Sequence, residues 1–240
     1  MPGKVDAFTV SLGTDTAVSA VAYLAREPSV AATLILGHGA GANQRSPFMV
    51  AFSQALQSRG VDVVTFNFLY TEQRRHVPDK PAVLEACYRD VTAAVHARVH
   101  SAGHTLFTGG KSMGGRIATQ VAAADHDRPI AGLVLLGYPL HPPGRPDKRR
   151  DAHLKDVRRP MLIVQGSRDV FGTPSELAPI LDNLPVSATL HVVEGGDHSF
   201  AVSKSDRAAQ AAVFEQVQDA IVRWMKALIS RAPESRPPAG

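Results

Sequence analysis

Short apolar runs alternate along this chain with longer segments whose apolar positions lie three and four residues apart. Apolar runs rich in β-branched residues are typical of buried strands, and the wider spacing is typical of helices with one apolar face. In residues 81–100, for example, Leu84, Cys87, Val91 and Val95 follow the helical spacing. The predicted strands cover residues 33–36, 61–66, 106–108, 133–136, 161–164 and 190–193, and the predicted helices cover residues 47–56, 81–100, 116–124, 175–184 and 207–229.

This alternation predicts an α/β fold. Strands separated by helices need crossover connections, which favour a mostly parallel central sheet covered by helices on both faces. Two further apolar stretches, residues 8–12 and 18–23, flank a Gly-Thr-Asp turn and predict an antiparallel hairpin at one sheet edge, at the N-terminus. No repeat or linker divides the chain, so we predict a single domain over residues 1–231. Residues 232–240, with three prolines and no apolar stripe, are predicted to be a disordered tail.

Composition narrows the class of protein. Of the 240 residues, 44% are apolar and 20% are charged, which excludes disordered and collagen-like chains and allows a sizeable core. The single cysteine, Cys87, cannot form an intramolecular disulfide, and no apolar run approaches the roughly 20 residues of a membrane-spanning helix. We therefore expect a cytoplasmic protein with no membrane partner. The formal charge of +4, with 6% aromatic residues, gives no reason to expect nucleic acid as a partner.

Residues 110–114 read Gly-Lys-Ser-Met-Gly and match the pattern Gly-x-Ser-x-Gly. The match lies between a predicted strand and a predicted helix, where this pattern forms a sharp turn that exposes the serine hydroxyl above a sheet. Ser112 is therefore a candidate nucleophile. The N–H of Met113, at the start of the following helix, would face an oxyanion.

A serine nucleophile needs a base and a group that orients the base. Asp169 follows the predicted strand 161–164 and His198 follows the predicted strand 190–193, so both are expected at the carboxyl edge of the sheet. The order Ser112, Asp169, His198 is the chain order of the triad in α/β hydrolases. Taken singly, each residue also has a structural interpretation, as a helix cap, a turn residue and a solvated loop residue respectively.

The loop after the first predicted parallel strand should supply a second oxyanion donor. Its small residues let the backbone approach a reacting carbonyl, and the N–H of Ala40 is the candidate, with Gly41 as the alternative. His38, in the same loop, is interpreted as a structural residue that holds the loop rather than as a base.

These motifs together resemble a known family, the largely uncharacterised α/β-hydrolase family that is related to dienelactone hydrolases and includes a eukaryotic chromatin-complex subunit. The resemblance extends from about Ala32 to Trp224. It implies an α/β-hydrolase fold and a triad of Ser112, Asp169 and His198, but no particular substrate. Leu69 departs from the pattern, because proline is expected there. The segments that carry the resemblance are residues 107–116, 137–144, 165–169 and 195–200.

The substrate is less constrained by the sequence. Only about 20 residues separate two successive predicted strands between Gly137 and Met161, too few for a helical lid, so we expect a shallow, open site that favours small or exposed acyl groups. Cationic loop residues suggest an anionic substrate as a hypothesis. The residues behind that hypothesis are Arg45, Arg74, Arg75 and Lys111, and the candidate substrate contacts are Arg45, Tyr70 and Lys111.

Other chemistries fit the sequence less well. The triplet that ends at Ser112 resembles the end of a phosphate-binding loop, but Thr105 stands where that loop needs glycine. Residues 37–42 formally match a dinucleotide-binding fingerprint, but no acidic residue follows the next strand. A zinc site at three histidines lacks a thiolate or carboxylate pair to complete it. These histidines are His96, His100 and His104.

The sequence thus predicts a serine hydrolase that forms an acyl-enzyme with a small-molecule ester or related substrate, without a metal or an organic cofactor. The alternative is a catalytically weak protein-interaction module in which the triad survives without turnover. Turnover separates the two hypotheses.

Overall fold

The computed structural model of this chain describes residues 3–13, 15–99, 102–203 and 205–231, so the tail predicted at residues 232–240 lies outside the described residues. In the described part, strands form one sheet in the order β1-β2-β4-β3-β5-β6-β7-β8. The strands are β1 (Lys4–Leu12), β2 (Thr16–Leu24), β3 (Ala32–Gly37), β4 (Asp62–Phe66), β5 (Thr105–Lys111), β6 (Gly132–Leu136), β7 (Met161–Gly166) and β8 (Ala188–Val193).

The sheet is parallel from β4 to β8, and β2 runs antiparallel to both β1 and β4. This confirms the predicted fold class, a mostly parallel sheet with an antiparallel hairpin at its N-terminal edge. Strand β5 is longer than predicted because its two glycines continue the strand. They are required there by close backbone packing: a Cβ on Gly109 would overlap the carbonyl oxygen of Val134.

Helices cover both faces of the sheet. One core cluster joins the sheet to α3, α4 and α5, and a second joins the opposite face to α1 and α6. The helix after the Gly-x-Ser-x-Gly turn begins at Met113, three residues earlier than predicted, and the short helix α2 was not predicted. The helices are α1 (Pro47–Gln57), α2 (Leu69–Glu72), α3 (Pro81–Val99), α4 (Met113–Ala124), α5 (Pro174–Leu181) and α6 (Arg207–Ile229).

The topology collects loops at the carboxyl edge of the parallel strands. The loops that follow β3, β5, β7 and β8 carry Ala40, Ser112, Asp169 and His198, respectively. The segment between β6 and β7 contains one 3-10 helix, Leu154–Asp156, and no helical lid. The described residues include no helix with the length and hydropathy of a membrane span.

Candidate active site

Ser112 occupies a sharp turn between β5 and α4. Its backbone has φ 52° and ψ −115°, a conformation that residues with a side chain rarely adopt. The two flanking glycines of the motif leave no room for side chains. A Cβ on Gly114 would lie 2.2 Å from the carbonyl oxygen of Gly37, and one on Gly110 would lie 2.5 Å from the same oxygen. The motif therefore packs its glycines against β3 and leaves the Ser112 hydroxyl facing a cavity.

A continuous hydrogen-bonded chain connects Ser112, His198 and Asp169. The Nε2 of His198 lies 2.9 Å from Ser112 Oγ, and its Nδ1 lies 2.7 Å from Asp169 Oδ2. Such a carboxylate contact favours the tautomer in which Nδ1 carries the proton and Nε2 is free to accept from the serine. Three residues predicted from separate loops are thus brought together by hydrogen bonds, in an arrangement that can activate a serine hydroxyl.

Asp169 is held in place from several directions. It is 1% exposed, and its Oδ1 accepts a hydrogen bond from the Phe171 backbone N–H at 2.8 Å. Its Oδ2 also accepts from Gln165 Nε2 at 2.8 Å. The Phe171 ring packs on the His198 imidazole, with ring centroids 4.3 Å apart. Aspartate and imidazole are therefore both fixed in orientation.

Two backbone N–H groups beside Ser112 are free to donate a hydrogen bond to a ligand. Among the described residues, neither Ala40 nor Met113 has an acceptor for its backbone N–H. Met113 is the first residue of α4, where N–H groups lack intrahelical acceptors and the helix dipole is positive. Ala40 lines the same cavity as Ser112. An oxyanion next to Ser112 would be stabilised by donors at these positions.

His38 anchors the Ala40 loop from within the core. Its side chain is fully buried, its Nδ1 donates to Gly39 O at 2.8 Å, and its Nε2 accepts from the Phe68 backbone N–H at 3.2 Å. Burial lowers the pKa of this histidine from 6.5 to about 4, so the ring is neutral near pH 7. These contacts agree with a structural role rather than a role as a base.

Lys111, the residue before Ser112, contacts the histidine loop. Its Nζ donates to the His198 carbonyl oxygen at 2.7 Å and lies 5.9 Å from the ring centroids of Phe48 and Phe200. Burial lowers the pKa of Lys111 from 10.5 to about 8, and the charges of Asp169 and Asp197 partly oppose that shift. This cation therefore links the nucleophile turn to the base loop.

The cavity above Ser112 has a volume of about 620 Å³, within the range of small-molecule sites. Of the candidate substrate contacts, Lys111 lines it but Arg45 and Tyr70 do not. Tyr70 is 1% exposed, because α2 turns its side chain into the core beside His38, at a ring-centroid distance of 6.0 Å. Its assignment as a substrate contact is therefore corrected. Neither Arg74 nor Arg75 is part of the cavity lining.

Sequence analysis missed four residues around this cavity. Gln165 lies in β7, four residues before Asp169. Its position next to the end of a predicted strand was the only sequence signal that it could contact Asp169. Phe171 follows the aspartate by two residues. Arg116 and Arg150 line the cavity, but nothing in their local sequence predicts that side-chain position.

The alternative zinc site can be examined only in part, because His100 lies outside the described residues. His104 Nδ1 contacts Thr33 Oγ1 at 3.2 Å and Asp62 Oδ2 at 3.4 Å. Within the described residues, no group of three or more histidine, cysteine or acidic side chains is arranged to hold a metal ion.

The fold and this strand-turn-helix serine define an α/β hydrolase. A model of the alpha/beta hydrolase domain family matches residues 30–226, so the chain belongs to that family. The chain also shares its fold with a dienelactone hydrolase, the group that its sequence motifs resemble.

Solved structures share the fold over almost the whole chain. Dienelactone hydrolase from Anabaena variabilis is 19% identical, with a TM-score of 0.72 over 93% of this chain and 99% of that chain. An α/β serine hydrolase without a lid from Xanthomonas campestris is 21% identical, with a TM-score of 0.70 over 99% of both chains. A serine hydrolase homologue from Coxiella burnetii is 18% identical, with a TM-score of 0.71 over 91% of this chain and 96% of that chain.

Proposed function

We propose that this protein is a serine hydrolase that cleaves an ester or related acyl bond of a small or exposed substrate. The observation that carries the proposal is the hydrogen-bonded chain from Asp169 through His198 to Ser112, at 2.7 and 2.9 Å. The strained backbone of Ser112 supports it, since such strain is typically retained at functional positions.

In the acylation step, Ser112 Oγ attacks the acyl carbon while His198 Nε2 takes the hydroxyl proton. Asp169 stabilises the resulting imidazolium through Nδ1–H and does not itself take the proton. The N–H groups of Met113 and Ala40 donate to the oxyanion of the tetrahedral intermediate. When the intermediate collapses, the bond to the leaving group breaks and His198 returns the proton to the departing oxygen.

Deacylation repeats the same transfers with water. His198 Nε2 accepts a proton as water attacks the acyl carbon, and it then returns the proton to Ser112 Oγ as the acid leaves. The exchange releases one alcohol and one acid for each water consumed. No further reactant is needed.

The cavity supports a small or exposed substrate. No helical lid covers Ser112 among the described residues, whereas long acyl chains need a large apolar enclosure. The relative from Xanthomonas campestris is likewise described as lacking a lid. Short esters and thioesters are therefore the first substrates to screen.

Covalent labelling tests the proposal without a known substrate. A fluorophosphonate should add one adduct to the folded wild-type protein, detected by intact mass, and Ser112→Ala should abolish it. Ser199→Ala is the matched control, because Ser199 lines the same cavity outside the hydrogen-bonded chain, and it should be labelled normally. Absence of an adduct on folded wild-type protein would contradict the proposed function and favour an interaction module.

A further inference from the structure

Two arginines line the cavity beside Ser112. Arg116 lies on α4 about one helical turn after Ser112, and its backbone N–H donates to the Ser112 carbonyl oxygen at 3.1 Å. Arg150 lies between β6 and β7, where its N–H donates to Leu140 O at 2.8 Å and its carbonyl oxygen accepts from the Tyr138 hydroxyl at 2.7 Å. Backbone hydrogen bonds thus hold both residues at the cavity wall.

Neither guanidinium has an acidic partner in the part of the chain that the structure describes. No carboxylate oxygen there lies within 4.0 Å of a guanidinium nitrogen of either residue. The Nε of Arg116 is buried without a hydrogen-bond partner, and its Nη1 donates to Gln120 Oε1 at 3.3 Å. Neither guanidinium therefore forms an ion pair with a described residue, and Glu85, which pairs with Arg89, acts on Arg116 only through its more distant charge.

Two charged residues near this cavity wall are instead held in ion pairs. Arg149, directly before Arg150, forms an ion pair with Asp151. Asp79, an acidic residue of the cavity lining, accepts from Arg75 through Oδ1 at 2.6 Å, whereas its Oδ2 is buried and lacks a hydrogen-bond partner in the described part of the chain. A ligand in the cavity therefore meets two arginines that form no ion pair with described residues and one carboxylate, Asp79, that pairs with Arg75.

The two charges also disfavour each other. Burial lowers the pKa of the Arg116 guanidinium from its usual value, and the charge of Arg150 lowers it further. Tyr138 and Glu85 partly oppose this lowering of the pKa. Half-buried like charges are relieved by an anion between them, and guanidinium groups form paired, charge-assisted hydrogen bonds with carboxylates. The same cavity is otherwise largely apolar, lined among others by Pro78, Pro81, Leu84, Pro139 and Phe171.

We propose that Arg116 and Arg150 form a carboxylate-binding subsite, so that the substrate is an ester or related acyl compound with a carboxylate on a short apolar portion. This inference rests on the serine hydrolase function proposed above, because the subsite shares a cavity with Ser112. The proposed subsite thus consists of Arg116 on α4 and Arg150 in the segment before β7. The arginines suggested by the sequence, at positions 45, 74 and 75, are not part of it.

Matched ester pairs test the subsite. The first pair varies the acyl side: it consists of the para-nitrophenyl monoester of adipic acid and the same ester with its free carboxylate capped as a methyl ester. The second pair varies the leaving group: it consists of phenyl acetates whose phenol ring carries either a carboxylate or its methyl ester. With rates at low salt normalised to hydroxide hydrolysis, the wild type should prefer the carboxylated member of one pair by about tenfold or more in kcat/KM. Arg116→Gln and Arg150→Gln should each lower kcat/KM for the carboxylated ester by about 10- to 100-fold. For the neutral ester, kcat/KM should change by less than about twofold.

Arg145→Gln is the control, since this exposed arginine lies in the same segment and pairs with Asp147; it should retain the wild-type preference. Fluorophosphonate labelling of every variant separates the two proposals. If Ser112 is labelled but the wild type shows no preference, or the variants lower both esters equally, the subsite is refuted while the hydrolase function stands.

Calorimetric titration with adipate decides the remaining outcomes, in which Ser112 is not labelled or no ester is turned over. Binding to the wild type that is lost in Arg116→Gln and Arg150→Gln supports the subsite independently of catalysis. No binding to the wild type, or equal binding to all variants, overturns it.

Discussion

Asp169 sets the tautomer of the proposed base through a single contact, from His198 Nδ1 to Oδ2 at 2.7 Å. The substitution Asp169→Asn keeps the size of the side chain but offers an amide in place of the carboxylate. We expect it to lower kcat for an ester substrate by about 10³- to 10⁴-fold, because the histidine is then no longer held as a base. Steady-state kinetics would measure the loss.

Asp182→Asn is the control for this change, because Asp182 is an exposed acid at the end of α5, outside the active-site cavity. It should retain wild-type kcat. Equal kcat in Asp169→Asn and wild type would show that Asp169 does not orient the base.

Lys111 also contacts the proposed base through a single hydrogen bond, from its Nζ to the His198 carbonyl oxygen at 2.7 Å. Lys111→Met removes that donor while retaining an apolar stem between Phe48 and Phe200. A hydrogen bond from a charged donor contributes about 1.5–3 kcal/mol. We expect kcat and the rate of fluorophosphonate labelling to fall by about tenfold or more in a variant that still folds.

Lys155→Met, at an exposed lysine, should leave both rates unchanged. If Lys111→Met labels as fast as the wild type, the contact with the histidine loop has no part in positioning the base.

At the scale of elements, the nucleophile turn depends on how closely α4 and β3 approach. A Cβ on Gly114 would lie 2.2 Å from Gly37 O, whereas Gly144, at φ +69° in an open turn, has nothing within 4 Å of such an atom. Gly114→Ala should destabilise the fold by about 3 kcal/mol or more, because backbone must shift. Gly144→Ala should lower stability by only about 1 kcal/mol, from its left-handed backbone.

Urea unfolding of the two variants would measure the difference. Equal losses would mean that the turn has room for a side chain, contrary to the packing of the motif. Labelling should also fail in any folded Gly114→Ala protein, because the shift moves Ser112.

For the whole molecule, one buried and one half-buried histidine make folding sensitive to acid. Burial lowers the pKa of His38 and of His153 from 6.5 to about 4, and Arg116 contributes to the shift of His153. Between pH 6.5 and about 4 the unfolded chain binds protons that the folded chain does not. Stability is therefore lost as the pH falls through this window.

For His38 alone, the free energy of unfolding should fall by about 2 kcal/mol between pH 7 and pH 4.5. Urea unfolding at the two pH values should show that His38→Gln reduces the wild-type difference by this amount. His76→Gln, at an exposed histidine, should keep the wild-type difference. An identical difference in His38→Gln and wild type would refute a neutral, buried His38.

Local patterns were sufficient for much of the architecture and for the centre of the candidate site. Apolar periodicity identified the strands and long helices, since it depends only on which face of an element is buried. Asp169 and His198 could be placed near Ser112 because each follows a parallel strand, and the carboxyl ends of such strands meet at one sheet edge. The short helix α2 has too few residues for a recognisable period, so it was missed.

The sequence by itself determined the order of elements and the residues at the strand ends, because both follow from neighbours along the chain. Only the tertiary structure decided which side chains share the cavity. Tyr70 turns into the core because α2 packs inward, whereas Arg116 and Arg150, 34 positions apart, meet one space because α4 and the segment before β7 converge there. Side-chain direction and the meeting of distant loops depend on packing in three dimensions, which no local pattern encodes.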